Sequence, residues 1–156
     1  MTSKIKTREE LAGLVKALKV NGVSVGFTNG CFDILHVGHV TYLAGAREKC
    51  GKLVVGVNSD ASVKRLKGPE RPINNESARA RVLAALECVD FVVIFVEDTP
   101  LELIKAITPD ILFKGGDWTS GTVVGSGYVK ENGGDVVIVP YVDGYSTTGI
   151  IQKMRE

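Results

Sequence analysis

Cysteine, histidine and long apolar segments are all scarce in this sequence of 156 residues. The three cysteines, Cys31, Cys50 and Cys88, are odd in number, widely spaced and in no CxxC pair, which argues against a disulfide framework or a cysteine-rich zinc site. No apolar run approaches the roughly 18 residues needed to span a bilayer, and the charged start MTSKIKTREE is unlike a secretion signal. We therefore expect reduced thiols, no membrane contact and a cytoplasmic location.

An excess of charge of one sign is also missing, because 19 Lys and Arg stand against 18 Asp and Glu for a net charge of +1. Proteins that bind duplex nucleic acid through its phosphates normally carry a basic surplus, so we expect no nucleic-acid partner. A composition of 44% hydrophobic and 24% charged residues is typical of a soluble globular protein. The length suits one domain over residues 1–156.

Apolar runs that alternate with helical patterns predict an α/β fold, a Rossmann-like five-stranded parallel sheet with helices on both faces. Strands are predicted at Val23–Thr28, Leu53–Val57, Phe91–Phe95, Asp110–Phe113 and Val136–Val139. Helices are predicted over Val37–Lys49, Arg79–Leu86 and Thr147–Arg155. Two more are predicted from their start signals, one after a capping box at Thr7 and Glu10 and one after a Thr99 cap with Pro100 in the first turn. The segment 64–75, rich in Pro, Gly and charge, is predicted to be a mobile loop.

Both histidines of the chain lie in one tetrapeptide, His36-Val37-Gly38-His39, after the first strand and at the start of the predicted helix. A spacing of three residues puts the two imidazoles on one helical face, and the positive end of a helix attracts anions. Gly38 removes a side chain where a ligand would approach the backbone. The pattern favours a phosphate site over two ordinary histidines. A zinc site would have to recruit Cys31 or Asp33.

Other segments have the chemistry to complete such a site. Lys64 and Lys67 on the predicted loop could close over phosphates and neutralise their charge. The glycines of the Lys114-Gly115-Gly116-Asp117 turn permit backbone contact with a nucleoside. The carboxylate of Asp117 could accept a hydrogen bond from a ribose hydroxyl group. Hydroxyl and backbone N–H groups at the start of the last helix can donate to phosphate, while Trp118 and Tyr145 are candidates to flank a base. Arg79 is predicted to lie exposed near the mobile loop, within reach of a phosphate.

The stretch TNGCFDILHVGH resembles the HxGH nucleotidyltransferases of the cytidylyltransferase-like superfamily. Three further segments agree with that superfamily in order, namely NSD at 58–60, KGGDW at 114–118 and GYSTT at 144–148. Longer phrases such as VNSDASVKRLKGPERPIN and DGYSTTGII look like the group that forms ADP-heptose. The Arg-Thr-Glu-Gly-Ile stretch with which glycerol-phosphate cytidylyltransferases read cytosine is absent here.

The resemblance implies transfer of AMP from ATP to D-glycero-β-D-manno-heptose 1-phosphate, with release of pyrophosphate after in-line attack on the α-phosphate. It implies Mg²⁺ carried with ATP, a sugar 1-phosphate as the second substrate, and a homodimer. The predicted catalytic residues are His36, His39 and Lys67. The predicted nucleotide-binding residues are Thr28, Asn29, Gly30, Cys31, Phe32, Gly38, Lys114, Gly115, Gly116, Asp117, Trp118, Gly144, Tyr145, Ser146, Thr147 and Thr148. The predicted substrate-binding residues are Asp33, Asn58, Asp60, Lys64 and Arg79, and no protein metal site is predicted.

Three alternatives remain open at this level. A glycerol-3-phosphate or related cytidylyltransferase would use the same chemistry with CTP. A silent nucleotide-binding module would keep the fold and the phosphate site without turnover. A dinucleotide-dependent oxidoreductase is disfavoured because TNGCFD, rather than GxGxxG, follows the first strand.

Overall fold

In the computed structural model, which describes residues 2–116, 122–140 and 142–156, β-strands and α-helices alternate along the chain. The strands are β1 (Val25–Gly30), β2 (Lys52–Asn58), β3 (Phe91–Phe95), β4 (Ile111–Gly115) and β5 (Asp135–Val139). The helices are α1 (Arg8–Val20), α2 (Val37–Arg47), α3 (Asp60–Lys67), α4 (Glu76–Ala84), α5 (Leu101–Ile107), α6 (Ser126–Glu131) and α7 (Thr147–Arg155), with a 3₁₀ turn at Thr2–Lys4. This pattern confirms the predicted α/β class.

The strands form one five-stranded sheet in the order β3-β2-β1-β4-β5, with every neighbouring pair parallel. The chain leaves β1 to one side for β2 and β3, and later crosses to the other side for β4 and β5. The carboxyl ends of β1 and β4 therefore flank the point where the strand order reverses, which is where open α/β sheets bind ligands.

Helices cover both faces of this sheet, as predicted. On one face α1, α5 and α6 contribute Leu11, Leu103 and Val129 to an apolar core that also contains Phe27 of β1. On the other face α2 and α4 pack a second core. The continuous apolar character of β1 and β2 follows from burial on both sides.

The boundaries of several elements differ from the predictions. Residues 64–67 belong to α3 rather than to a loop, since Ser59 caps the helix by accepting a hydrogen bond from the Ser62 N–H. The loop is therefore confined to 68–75. Helix α6 is an additional element, and α5 begins after Pro100, which takes the cap position without a side-chain hydrogen bond, so the predicted Thr99 cap is wrong. The last helix has the predicted bounds.

Within the described residues, none of the helices combines the length and the apolar character that crossing a bilayer requires. The thiols of Cys31, Cys50 and Cys88 are unpaired.

Candidate active site

A cavity of about 810 Å³ lies at the carboxyl ends of β1 and β4, at the reversal point of the sheet. Its walls come from the β1–α2 loop, the end of α3 with the following loop, the end of β4, and residues 142–148 before and within α7. This volume falls within the range of ordinary small-molecule sites. The predicted site residues that line it are Asn29, Gly30, Cys31, Phe32, Asp33, His36, Gly38, His39, Asn58, Lys67, Lys114, Gly115, Gly144, Tyr145, Ser146, Thr147 and Thr148.

The two histidines form the start of helix α2. The Nδ1 atom of His36 accepts a hydrogen bond from the Gly38 N–H at 3.1 Å, and Nδ1 of His39 accepts one from the His36 N–H at 3.4 Å. This reciprocal cap satisfies two of the N–H groups that the first turn of a helix leaves without partners. The rings stack at a centroid distance of 3.8 Å and both line the cavity.

These hydrogen bonds determine the chemical form of the imidazoles. A nitrogen that accepts an N–H bond cannot itself carry hydrogen, so each neutral ring bears its hydrogen on Nε2 and can donate from there. Burial lowers the pKa of His36, and burial together with the neighbouring His36 lowers the pKa of His39 from 6.5 to about 4. At neutral pH the cavity therefore contains two uncharged N–H donors in fixed tautomers.

Gly38 and Phe32 shape the backbone around the histidine pair. A Cβ atom on Gly38 would come within 2.8 Å of Cε1 of His36, so the glycine makes room for the capping ring. Phe32 has a φ of 48°, which costs a residue with a side chain about 1–2 kcal/mol. Its buried ring packs edge-on against His39 at a centroid distance of 5.1 Å. The loop thus combines backbone strain with packing at the site.

Asp33 is almost fully buried beside the cavity, at 2% exposure. Its carboxylate accepts hydrogen bonds from the N–H groups of Ile73 and Asn74, both at 2.9 Å, and from Nε of Arg71 at 2.7 Å. Burial raises the pKa of Asp33, but these backbone and side-chain donors outweigh it and the pKa lies below its ordinary value. In this structure Asp33 fastens the loop 68–75 to the β1–α2 loop, while its predicted contact with substrate stays a prediction.

The expectation that Arg79 lies exposed is wrong, because the side chain is 2% exposed. Its guanidinium donates to the backbone oxygens of Asn74, Cys31 and Asn58 and forms an ion pair with Asp60 at 2.8 Å. A buried arginine is stable only when its donors find such partners. Arg79 thus ties together three segments behind the cavity, and the structure gives it protein partners in place of the predicted substrate.

Several other predicted residues lie away from the cavity surface. Thr28 is buried and its hydroxyl pairs with the Tyr42 hydroxyl at 2.7 Å. Lys64 is exposed on α3, and neither it nor Gly116 lines the cavity. Asp117 and Trp118 lie outside the described residues, so their predicted roles stay predictions.

Positive charge in the cavity comes from Lys67, Lys114 and Arg71. Burial lowers the pKa of Lys114, and the nearby Lys67 lowers it further. Sequence reasoning missed Arg71, whose only signal is its position in the segment GPERPIN. Among the described residues no three His, Cys, Asp or Glu side chains cluster in a way that could hold a metal ion.

Comparison with known proteins assigns this arrangement to a family. Residues 27–153 match the family model described as cytidylyltransferase-like. The chain is 60% identical over 153 residues to the bifunctional protein HldE of Geotalea uraniireducens, covering 98% of this chain and 31% of that protein. It is 62% identical over 144 residues to the bifunctional protein HldE of Mesorhizobium japonicum, covering 92% and 29%. The chain thus spans about 30% of the length of these relatives.

Solved structures share the architecture. A lipopolysaccharide core biosynthesis protein from Thermoplasma volcanium superposes with a TM-score of 0.64 at 28% identity, over 80% of this chain and all of that chain. A pantoate-beta-alanine ligase from Francisella tularensis superposes with a TM-score of 0.61 at 14% identity, over 97% and 76% of the two chains, which shows the shared fold alone. With the paired histidines at the reversal point of the sheet and a family match over residues 27–153, the chain belongs to the cytidylyltransferase-like family.

Proposed function

We propose that the protein transfers AMP from ATP to D-glycero-β-D-manno-heptose 1-phosphate, giving ADP-heptose and pyrophosphate. The single observation that carries the proposal is the pair of neutral imidazoles in fixed tautomers at the N-terminus of α2, lining a cavity at the reversal point of the sheet. The identity of 60–62% to proteins named bifunctional protein HldE supports the choice of this reaction within the family.

In the proposed reaction an oxygen of the acceptor phosphate attacks the α-phosphorus of ATP. The new O–P bond forms as the bond from the α-phosphorus to the bridging oxygen breaks, and pyrophosphate leaves with that electron pair. The attacking phosphate is already anionic at neutral pH, so the protein is not required to remove a proton. Its role is to orient the two substrates and to stabilise the charge of the transition state.

The chain's own donors suit that role. The Nε2–H groups of His36 and His39 would donate to phosphate oxygens of ATP, and the positive end of α2 adds to their effect. Lys67 and Lys114 would neutralise the charge of the triphosphate. Because the imidazoles are neutral before ATP binds, they enter the reaction as hydrogen-bond donors rather than as acids that must be recharged in each turnover.

Mg²⁺ would enter as part of the substrate, as MgATP. The buried carboxylate beside the cavity, Asp33, is already bonded to Arg71 and two backbone N–H groups, which suits a metal held by the triphosphate rather than by a protein cage. The ion would supply neutralisation of phosphate charge. The homodimer and the cytoplasmic location stay predictions.

The test is pyrophosphate release measured for ATP and for CTP, each with heptose 1-phosphate and with glycerol 3-phosphate. We expect turnover with ATP and heptose 1-phosphate and at least about a hundredfold less with each other pair, since a site built to hydrogen-bond one base discriminates strongly against another. Preferential turnover of CTP with glycerol 3-phosphate would support the cytidylyltransferase alternative. Tight ATP binding without turnover of any phosphorylated acceptor would support the alternative of a nucleotide-binding module that has no catalytic activity.

A further inference from the structure

A second cavity of about 330 Å³ adjoins the active-site cavity, between the segment 67–71 and helix α7. The two cavities share Lys67, Arg71 and Thr148, so they meet at these three residues. The rest of the second cavity's lining consists of three side chains that form hydrogen bonds, Glu70, Gln152 and Arg155, and of Gly68, Pro69 and Ile151. A ligand could therefore occupy both cavities, with its charged end at their junction.

Arg71 is held at that junction in a fixed orientation. Its Nε donates to Asp33 at 2.7 Å, and the exposed fractions of the two side chains are only 12% and 0%. The N–H groups of Ile73 and Asn74, in the same loop as Arg71, also donate to the Asp33 carboxylate, so the ion pair is anchored to main chain. A planar guanidinium that is fixed through Nε presents its remaining donors in a defined direction.

The terminal Nη groups of Arg71 are the donors that remain. In the part of the chain that the structure describes, Nε is the atom of Arg71 that bonds to protein, and no protein acceptor is found for the Nη groups. Two parallel N–H groups on a guanidinium match two oxygens of a phosphate. Lys67 beside it adds a second positive charge at the same junction.

We propose that Arg71 binds the phosphate of the acceptor and that the second cavity holds the hydroxyl-rich body of the acceptor, a phosphorylated sugar. The inference rests on the proposed function, in which the larger cavity is occupied by the nucleotide. A phosphate monoester has three terminal oxygens. If Arg71 holds two of them, the third is free to attack the α-phosphorus. Thr148 and Gln152 would then bind the sugar hydroxyls, together with Glu70, whose carboxylate forms an ion pair with Arg155 at 2.9 Å in the same cavity.

The experiment measures acceptor binding apart from turnover. The protein is saturated with α,β-methylene ATP, which has no cleavable bond at the α-phosphorus, and titrated calorimetrically with heptose 1-phosphate. The variants are Arg71→Lys, which keeps the charge but offers its one amine to Asp33, and Gln152→Leu on the exposed side of α7. Lys153→Gln, on the same helix but outside both cavities, is the matched control.

We expect Arg71→Lys to weaken acceptor binding at least about tenfold, because the bidentate contact is lost. Gln152→Leu should weaken it a few-fold, and Lys153→Gln should leave it unchanged. The dissociation constant of the nucleotide analogue should stay within about twofold in all three variants, and steady-state assays should show a raised acceptor KM with an unchanged ATP KM. Thermal melting monitors folding, and Gln152→Leu carries the test if Arg71→Lys does not fold.

Acceptor binding that is unchanged in both variants, or nucleotide binding that weakens as much as acceptor binding, would overturn the inference. So would a wild-type protein that binds no phosphorylated sugar. If glucose 1-phosphate or glycerol 3-phosphate binds in an Arg71-dependent way and heptose 1-phosphate does not, the proposed substrate is wrong and the role of Arg71 stands. If the wild type turns over heptose 1-phosphate and Arg71→Lys uses it equally well, the proposed function stands and the inference fails.

Discussion

Two walls of the active-site cavity are built in contrasting ways. The β1–α2 wall contains Asp33 at 2% exposure and Phe32 at 8%, and its histidines cap a helix. The opposite wall, residues 143–148, is mostly exposed and contacts the first wall through the Thr147 hydroxyl, which donates to Ile34 O at 3.2 Å, and through Tyr145, whose ring lies 6.4 Å from that of His36. The first wall is fixed by buried contacts, and the second is attached to it by few.

This contrast suits a division of labour. Groups that stabilise a transition state act best when they are held in place before the substrate arrives, which describes the histidine wall. A wall that is exposed and attached at few points can adjust to the nucleotide at low energetic cost. We therefore expect changes in the first wall to affect kcat, and changes in the second to affect mainly substrate affinity.

The largest effect is expected from His36. His36→Ala should lower kcat by at least about a hundredfold, the scale seen when one transition-state donor is removed. Pyrophosphate release under saturating substrates measures the loss. His36→Asn is the matched variant, because asparagine is a good helix cap and so separates capping from phosphate contact. Near-wild-type turnover by either variant would contradict the assignment.

Gly38→Ala should have the next largest effect on turnover. The added Cβ atom would meet the His36 ring at 2.8 Å, so the ring must shift. A misplacement of about 1 Å can cost up to a hundredfold in rate, and we expect a loss of about tenfold or more in kcat. Gly13→Ala in α1, where an added Cβ meets nothing within 4 Å, is the control and should keep full activity. Equal activities of the two variants would show that the position of the His36 ring is not critical.

The half-buried His39 of the first wall should also make stability depend on pH. In the unfolded chain histidine binds its proton near pH 6.5, but folded His39 binds it only near pH 4. Between these values the unfolded state binds more protons, so the free energy of unfolding should be highest above pH 6.5 and fall as the pH drops toward 4. Urea denaturation at successive pH values measures this slope. His39→Asn should flatten it, and an unchanged slope in that variant would exclude His39 as its source.

The smallest effect is expected in the second wall. Thr147→Val keeps the shape of the side chain but removes its hydrogen bond to Ile34 O, one of the links between the walls. We expect a few-fold rise in the KM for ATP with little change in kcat, in line with the roughly 1 kcal/mol of a typical hydrogen bond. Thr41→Val, on the exposed side of α2, is the control. A loss of kcat comparable to that of Gly38→Ala would remove the distinction between the walls.

The parts of the fold with strong periodic signals could be predicted from the sequence. The apolar runs of β1 and β2 and the Ser146 cap of α7 predicted their elements within about two residues of the structure. Helix α3 was missed because its exposed residues KRLK, followed by Gly68 and Pro69, are typical of a loop, although the Ser59 cap was a usable signal. Local patterns are therefore more informative than composition at such boundaries.

The histidine pair could be predicted because its spacing and its place after β1 are local properties. The roles that the structure gives Arg79 and Arg71 could not be predicted, because arginine is usually exposed and the partners of both residues come from distant parts of the chain. Arg79 bonds to Cys31 O, 48 residues away, and Arg71 to Asp33, 38 residues away. Such contacts exist only once the sheet has brought the loops together.

The reciprocal cap of α2 has a consequence for how this site keeps its chemistry. In many enzymes a carboxylate beside a histidine sets which ring nitrogen carries hydrogen. Here the main chain does so, through N–H groups of the same helical turn. The direction in which each imidazole donates is thus encoded in secondary structure, and it is established as soon as the first turn of the helix forms.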